Sequence, residues 1–225
     1  MKPDVLIGVV DSGHAFSQHL RVEAGRRFWV DDGQLLCGDL EPDALGHGSA
    51  VIEAIARRAP GAQVCVAQVF DRRGVTSAWQ LGAAIGWLVS TGVRVINLSL
   101  GLRHDREMLR EACAFAVEQG VLLCAASPAQ GQGVYPADYP QVLRVTGDAR
   151  CASDQWSWLN SAQADFAACV QGSRPGQSGA SLGCAALSGH IAGYLQEQPV
   201  ASNAQIIQWL QTHAHYHGPE RRLGP

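Results

Sequence analysis

Apolar runs of strand length alternate along this chain with longer segments of helical period, and that alternation restricts the fold more than any other feature. Strands covered on both faces read as continuous runs of Val, Ile and Leu, as do Val5 to Val10, Val64 to Val69, Val93 to Leu98, Val121 to Ala126 and Val142 to Thr146. Between them, Ala50 to Arg58, Ser77 to Thr91 and Asp105 to Gln119 read as helices, each followed by a glycine (Gly61, Gly92, Gly120) suited to a left-handed C-terminal residue. A further helix is expected from Ser181 to about Gln196, where small residues permit close approach to the sheet. A last one is capped by Ser202 and runs to about His213. The expected class is α/β, a three-layer α/β/α arrangement with a mostly parallel central sheet.

The chain has 225 residues, 47% hydrophobic and 16% charged, enough for one substantial core and far from a disordered composition. One domain over 1–225 is expected. The first strand starts almost at the N-terminus, so neither a signal peptide nor a pro-segment is expected, and the location reads as cytoplasmic. A net charge of −3 offers no basic footprint for nucleic acid, and no apolar run approaches the roughly 20 residues of a membrane span. Seven scattered cysteines without CxxC spacing read as mostly reduced, some of them small buried apolar residues, rather than as disulfides or a zinc site. No dense loop of carboxylates demands calcium, and no cofactor is expected.

Three short segments then stand out in a fixed order: Val9-Val10-Asp11-Ser12-Gly13, Gly46-His47-Gly48-Ser49 and Ser178-Gly179-Ala180-Ser181. Together they supply a carboxylate, an imidazole and a hydroxyl, the groups that nucleophilic acyl transfer needs to take and return a proton. Asp11 ends a strand, where functional groups of open α/β sheets gather. His47 and Ser181 fall at helix starts, where Gly46 and Gly179 permit tight backbone.

The order Asp, His, Ser resembles the subtilisin-like serine proteases, and the match runs from Val5 to about Tyr194. The resemblance implies a subtilisin-like fold, a serine endopeptidase, and Asp11, His47 and Ser181 as its catalytic residues. It also implies that Ser99, Leu100 and Gly101, after Val95 to Leu98, pair with an extended peptide substrate, with Ala125 and Ala126 beside it. Tyr135 to Pro140 resembles the stretch before the next core strand.

Several positions depart from the family pattern. Ala180 replaces Thr, Gly183 replaces Ala and Ala185 replaces Pro around the serine, and Ala50 stands where a second histidine is common. In Cys124-Ala125-Ala126-Ser127-Pro128 the proline occupies the position of an oxyanion-donating Asn, and proline donates from neither side chain nor backbone. The Ser181 backbone N–H is expected to remain as one oxyanion donor, with Ser127 as the candidate for a second and Gln130 and Gln132 as alternatives.

The expected partner is a peptide or protein precursor, with no nucleic acid and no membrane. A maturation protease that removes a leader peptide from one precursor is the favoured form. It is similar to the enzymes that process the small subunit of quinohemoprotein amine dehydrogenase. A catalytically impaired peptide-binding relative and a general intracellular peptidase are the alternatives.

Other features read more plainly. His213, His215 and His217 form an alternating run expected to be solvated rather than metal-binding. Trp156 and Trp158 alternate as in a strand with one aromatic face, expected in core packing or an exposed loop rather than a substrate groove. Asp31 and Asp32 serve either as a turn before Gly33 or as an attraction for basic substrates.

Overall fold

A computed structural model describes residues 5–172 and 177–220. Its centre is one ten-stranded sheet. The strands are β1 (Leu6–Asp11), β2 (Val22–Asp31), β3 (Gln34–Gly38), β4 (Gln63–Gln68), β5 (Val95–Leu98), β6 (Leu122–Ala126), β7 (Leu143–Asp148), β8 (Trp156–Trp158), β9 (Phe166–Cys169) and β10 (Tyr216–His217). Their spatial order is β10-β8-β9-β7-β6-β5-β1-β4-β2-β3. Among these described strands, β2 with β3 and β8 with β9 pair antiparallel and the other pairs are parallel. The helices are α1 (His47–Arg58), α2 (Ala78–Ser90), α3 (Glu107–Glu118), α4 (Ala180–Glu197) and α5 (Asn203–Thr212).

The two sheet faces carry separate cores, as period-two side-chain alternation requires. Leu122, Cys124 and Ala126 of β6 face α1, α4 and α5, whereas Leu123 and Ala125 face α2 and α3. Three layers follow, as the alternating apolar runs predict. α4 sits closest to the sheet: a Cβ at Gly183 would lie 2.3 Å from the Thr146 carbonyl oxygen, so only glycine fits there. The small residues of this helix are what permit that approach. Gly92 and Gly120 are left-handed (φ 80° and 81°), but Gly61 is not, because α1 ends at Arg58 and the chain leaves it through a turn at Pro60 and Gly61 closed by the Ala62 N–H on the Ala59 carbonyl.

The hairpin of β2 and β3 at the sheet's edge was not readable from apolar runs. β2 mixes Glu23, Arg26 and Arg27 with apolar residues and is mostly half-exposed. Asp32 and Gly33 (φ 46° and 73°) form the two-residue turn of this hairpin, so the turn explains Asp31 and Asp32. β9 and the two-residue β10 are too short to announce themselves.

All seven cysteines are free thiols, six of them buried, and burial pushes the Cys113 and Cys124 thiols up to about 12. They fill core space as small apolar groups. Trp156 is core, with its indole N–H donating to the Leu210 carbonyl at 2.8 Å. His213, His215 and His217 each rest against a tryptophan, respectively Trp209, Trp156 and Trp158, a packing role the sequence did not suggest. Among the described residues no helix is long and apolar enough to cross a membrane.

Candidate active site

Asp11 closes β1 and is fully buried, with the Ser12 N–H donating to its Oδ1 at 2.7 Å. α1 begins on His47 because Gly46 takes the left-handed conformation (φ 70°) just before it. The start of α1 then docks on the turn after β1. A Cβ at Gly48 would lie 2.2 Å from the Gly13 carbonyl oxygen, and the Gly48 N–H donates to Ser12 Oγ at 2.9 Å. Held this way, His47 Nδ1 lies 2.8 Å from Asp11 Oδ1 and 3.0 Å from Oδ2.

Ser181 stands in the first turn of α4, after Gly179 at φ 148°. The Leu182 and Gly183 N–H groups return to the Gly179 carbonyl, and the Ser181 N–H has no partner among the described residues. An unpaired donor at the positive end of an 18-residue helix suits developing negative charge. The Ser181 hydroxyl donates to the Ser99 carbonyl at 3.3 Å. Ser181 and His47 line the same cavity, together with Leu45, Ala50 and Gly179.

Buried polar groups brace this arrangement. Ser188 Oγ donates to Asn97 Oδ1 at 3.1 Å, Asn97 Nδ2 donates to Ser99 Oγ at 2.8 Å, and Ser99 Oγ donates to the Ser181 carbonyl at 3.2 Å. The chain of bonds ties α4 to the end of β5. Sequence reasoning missed Asn97 and Ser188, although an Asn inside an otherwise apolar strand is a signal, since a buried amide must find partners.

Asp43 was also missed. Its carboxylate accepts five hydrogen bonds, from Ser12 Oγ, the Leu45 and Gly46 N–H groups, and the Ser49 N–H and hydroxyl. Partial burial opposes its ionisation, but the bonds from Ser49, Ser12 and Gly46 outweigh that and hold its carboxyl below the usual value. For His47, the hydrogen bond to Asp11 dominates and raises the imidazolium pKa; burial opposes, and the charges of Asp11 and Asp43 add to the rise. The readable sign was an Asp four residues before His47, at the edge of a helix start.

Leu102 pairs with Tyr135 through two backbone bonds of 2.7 and 2.8 Å, but the backbone groups of Leu100 and Gly101 have no partner among the described residues. They remain open for an added strand. Two expectations need correction. Ser127 is fully buried, its N–H donating to Val145 and its hydroxyl to the Gln163 carbonyl at 2.8 Å, so neither donor is free for an oxyanion. Ala125 and Ala126 lie in β6 with their methyl groups in the two cores, because the sheet ladder runs on through them. The Pro128 carbonyl accepts from Gln163 Nε2 at 2.7 Å, which leaves Gln130 and Gln132 as the exposed amides of this loop.

The chain is 29% identical over 233 residues to subtilisin Savinase of Lederbergia lenta, covering 93% of this chain and 83% of that protein. It is equally identical to M-protease of Shouchella clausii, covering 59% of it, and 30% identical over 155 residues to the minor extracellular protease Epr of Bacillus subtilis, covering 64% of this chain. It thus spans 23% of Epr and about three fifths of M-protease. Among solved structures, sphericase superposes with a TM-score of 0.72 at 20% identity over 95% of this chain and 84% of its own. The S41 psychrophilic protease gives 0.71 at 20% over 96% and 86%. These likenesses establish the same fold. The sequence model of the Subtilase family aligns with residues 2–225, nearly the full length, and on that match the chain belongs to the Subtilase family.

Proposed function

We propose that this chain is a serine endopeptidase that cleaves peptide bonds through an acyl-enzyme. Ser181 is the nucleophile, His47 the general base and then acid, and Asp11 the group that orients His47 and stabilises its imidazolium. The observation that carries the reading is the His47 Nδ1 to Asp11 bond of 2.8 Å beside a cavity that Ser181 also lines. The Ser181 hydroxyl must rotate away from the Ser99 carbonyl to reach the imidazole, a rotamer change compatible with a resting site. The substrate runs along Leu100 and Gly101 as an added strand, taking main-chain hydrogen bonds.

The favoured form is a cytoplasmic maturation protease that removes a leader peptide from one precursor, with the small subunit of quinohemoprotein amine dehydrogenase as the candidate. The sequence resemblance supports this form. Its test is mass spectrometry of candidate precursors after incubation with the wild type and with Ser181→Ala. A single cut made only by the wild type supports it, and indiscriminate cleavage of unfolded proteins such as casein overturns it.

Pro128 and the commitment of both Ser127 donors favour a second reading, a slow or inactive peptide-binding relative. Loss of one oxyanion donor typically costs about 100- to 1000-fold in turnover, which slows such an enzyme without abolishing it.

A further inference from the structure

Of the grooves around the cavity of His47 and Ser181, one shares Gly46 and Ala50 with it and is lined by Asp43 and Glu53, whereas two others carry an excess of arginine. The first of these two adjoins the cavity through Leu45, which lines both. It holds Arg27, Glu41, Asp71, Arg72 and Arg73. Arg27 is ion-paired with Glu41, and Arg73 Nε lies 3.0 Å from Asp71 Oδ2. Asp71 is further committed to its own turn, accepting from the Arg73 and Val75 N–H groups at 2.9 Å each. Arg72 is exposed and has no ion pair among the described residues.

The second groove lies past Gly101 along the open backbone. Thr76, Ser77, Leu102, Arg103, His104 and Arg106 line it, with no carboxylate among its described lining residues. Neither Arg103 nor Arg106 has an ion pair among the described residues. The neighbouring Asp105 is occupied, accepting from the Tyr139 hydroxyl at 2.8 Å and lying 3.5 Å from Arg110. Leu102 is three residues beyond Ser99, whose carbonyl receives the Ser181 hydroxyl. At about 3.3 Å per extended residue, this groove begins roughly 10 Å from the nucleophile, about three substrate residues upstream of the scissile bond. The segment of residues 71–78 runs from one groove to the other, with Asp71, Arg72 and Arg73 lining the first and Thr76, Ser77 and Ala78 the second.

A chain with a net charge of −3 thus sets three arginines without ion pairs along these two grooves, where Glu41, Asp71 and Asp105 each have a cationic partner. Guanidinium groups match carboxylates in geometry as well as charge. We propose that the cleft selects acidic peptides, with Asp or Glu side chains on the acyl side of the cut meeting Arg72, Arg103 and Arg106. The proposal rests on the protease reading for the cut itself, but not for the binding preference.

The test uses the Ser181→Ala chain, which binds without cleaving, and three fluorescein-labelled decapeptides of one sequence. One carries Glu and Asp, one the matching Gln and Asn, and one Lys. Fluorescence anisotropy at low salt should show the acidic peptide binding at least about tenfold tighter than its amide counterpart, the Lys peptide weakest, and the advantage shrinking towards 0.5 M salt, roughly the regime of a 4 Å screening length. Adding Arg72→Gln, Arg103→Gln and Arg106→Gln together should abolish the advantage, with circular dichroism confirming the fold. Equal binding of acidic and amide peptides, no binding of the acidic peptide at millimolar concentration, or an advantage that survives the triple change each overturns the proposal. Cleavage of the same peptides by the unaltered chain is read separately. Acidic preference without cleavage retains this inference and overturns the protease reading, and cleavage without preference does the reverse.

Discussion

The Ser181 hydroxyl donates to the Ser99 carbonyl at 3.3 Å, while Asn97 and Ser188 hold Ser99 itself through a buried chain of hydrogen bonds. The nucleophile candidate is therefore parked on the strand end that the substrate is proposed to join. Asn97→Ala should cut the brace and leave the Ser188 and Ser99 hydroxyls short of a partner, lowering stability by about 1–3 kcal/mol. Thermal melts measure this, and kcat should fall more than KM rises, because the peptide backbone contacts are untouched.

Asp43 should tune His47. Two carboxylates act on the imidazole, Asp11 through a direct bond and Asp43 through its charge. The activity requires neutral His47, and its raised pKa places the acid limb of the kcat/KM profile above the ordinary histidine value near 6.5, with activity rising through it. Asp43→Asn removes one negative charge, so imidazolium is less favoured and the limb should move to lower pH. A profile with lowered rate but an unmoved limb would assign Asp43 a purely structural role.

Much of the fold was legible in the sequence because parallel strands buried on both faces have no choice but to be apolar. β1, β4, β5, β6 and β7 all announce themselves in this way, and the glycines at 46 and 179 mark the helix starts. The β2–β3 hairpin did not, because β2 is mostly half-exposed and tolerates Arg26 and Arg27 among its apolar residues. At the site, the positions of Asp11 and His47 could be read from their local motifs. The commitments of Ser127 could not, since they depend on Gln163, 36 residues away. Asp43 shows the same limit, as its role comes from Ser12 and Ser49 folding around it.

His190 should make stability sensitive to acid. It is packed against Trp156, and burial, then the nearby Arg58 charge, pushes its pKa down to about 4. Arg58 and His215 oppose its protonation and Asp154 favours it. The unfolded chain, with an ordinary histidine pKa near 6.5, binds the proton more readily, so stability falls as pH drops from about 6.5 to about 4, by at most roughly 3 kcal/mol from this group. In melts across this range, His190→Leu should flatten the slope; an unchanged slope would place the sensitivity elsewhere.

Gly183 should resist enlargement. A methyl group there meets the Thr146 carbonyl and the Gly147 Cα, both backbone, so neither yields by a rotamer change. Gly183→Ala should cost about 1–3 kcal/mol or more and lower Tm by several degrees in calorimetry, through displacement of α4 and with it Ser181.

The central claim is that His47 activates Ser181. A fluorophosphonate probe followed by peptide mass spectrometry tests it most directly, since only an activated serine attacks the phosphorus. One labelled residue, Ser181, is expected, with labelling lost in His47→Ala and following the acid limb of His47 in pH. A folded chain that takes up no probe, or takes it up equally without His47, would contradict it.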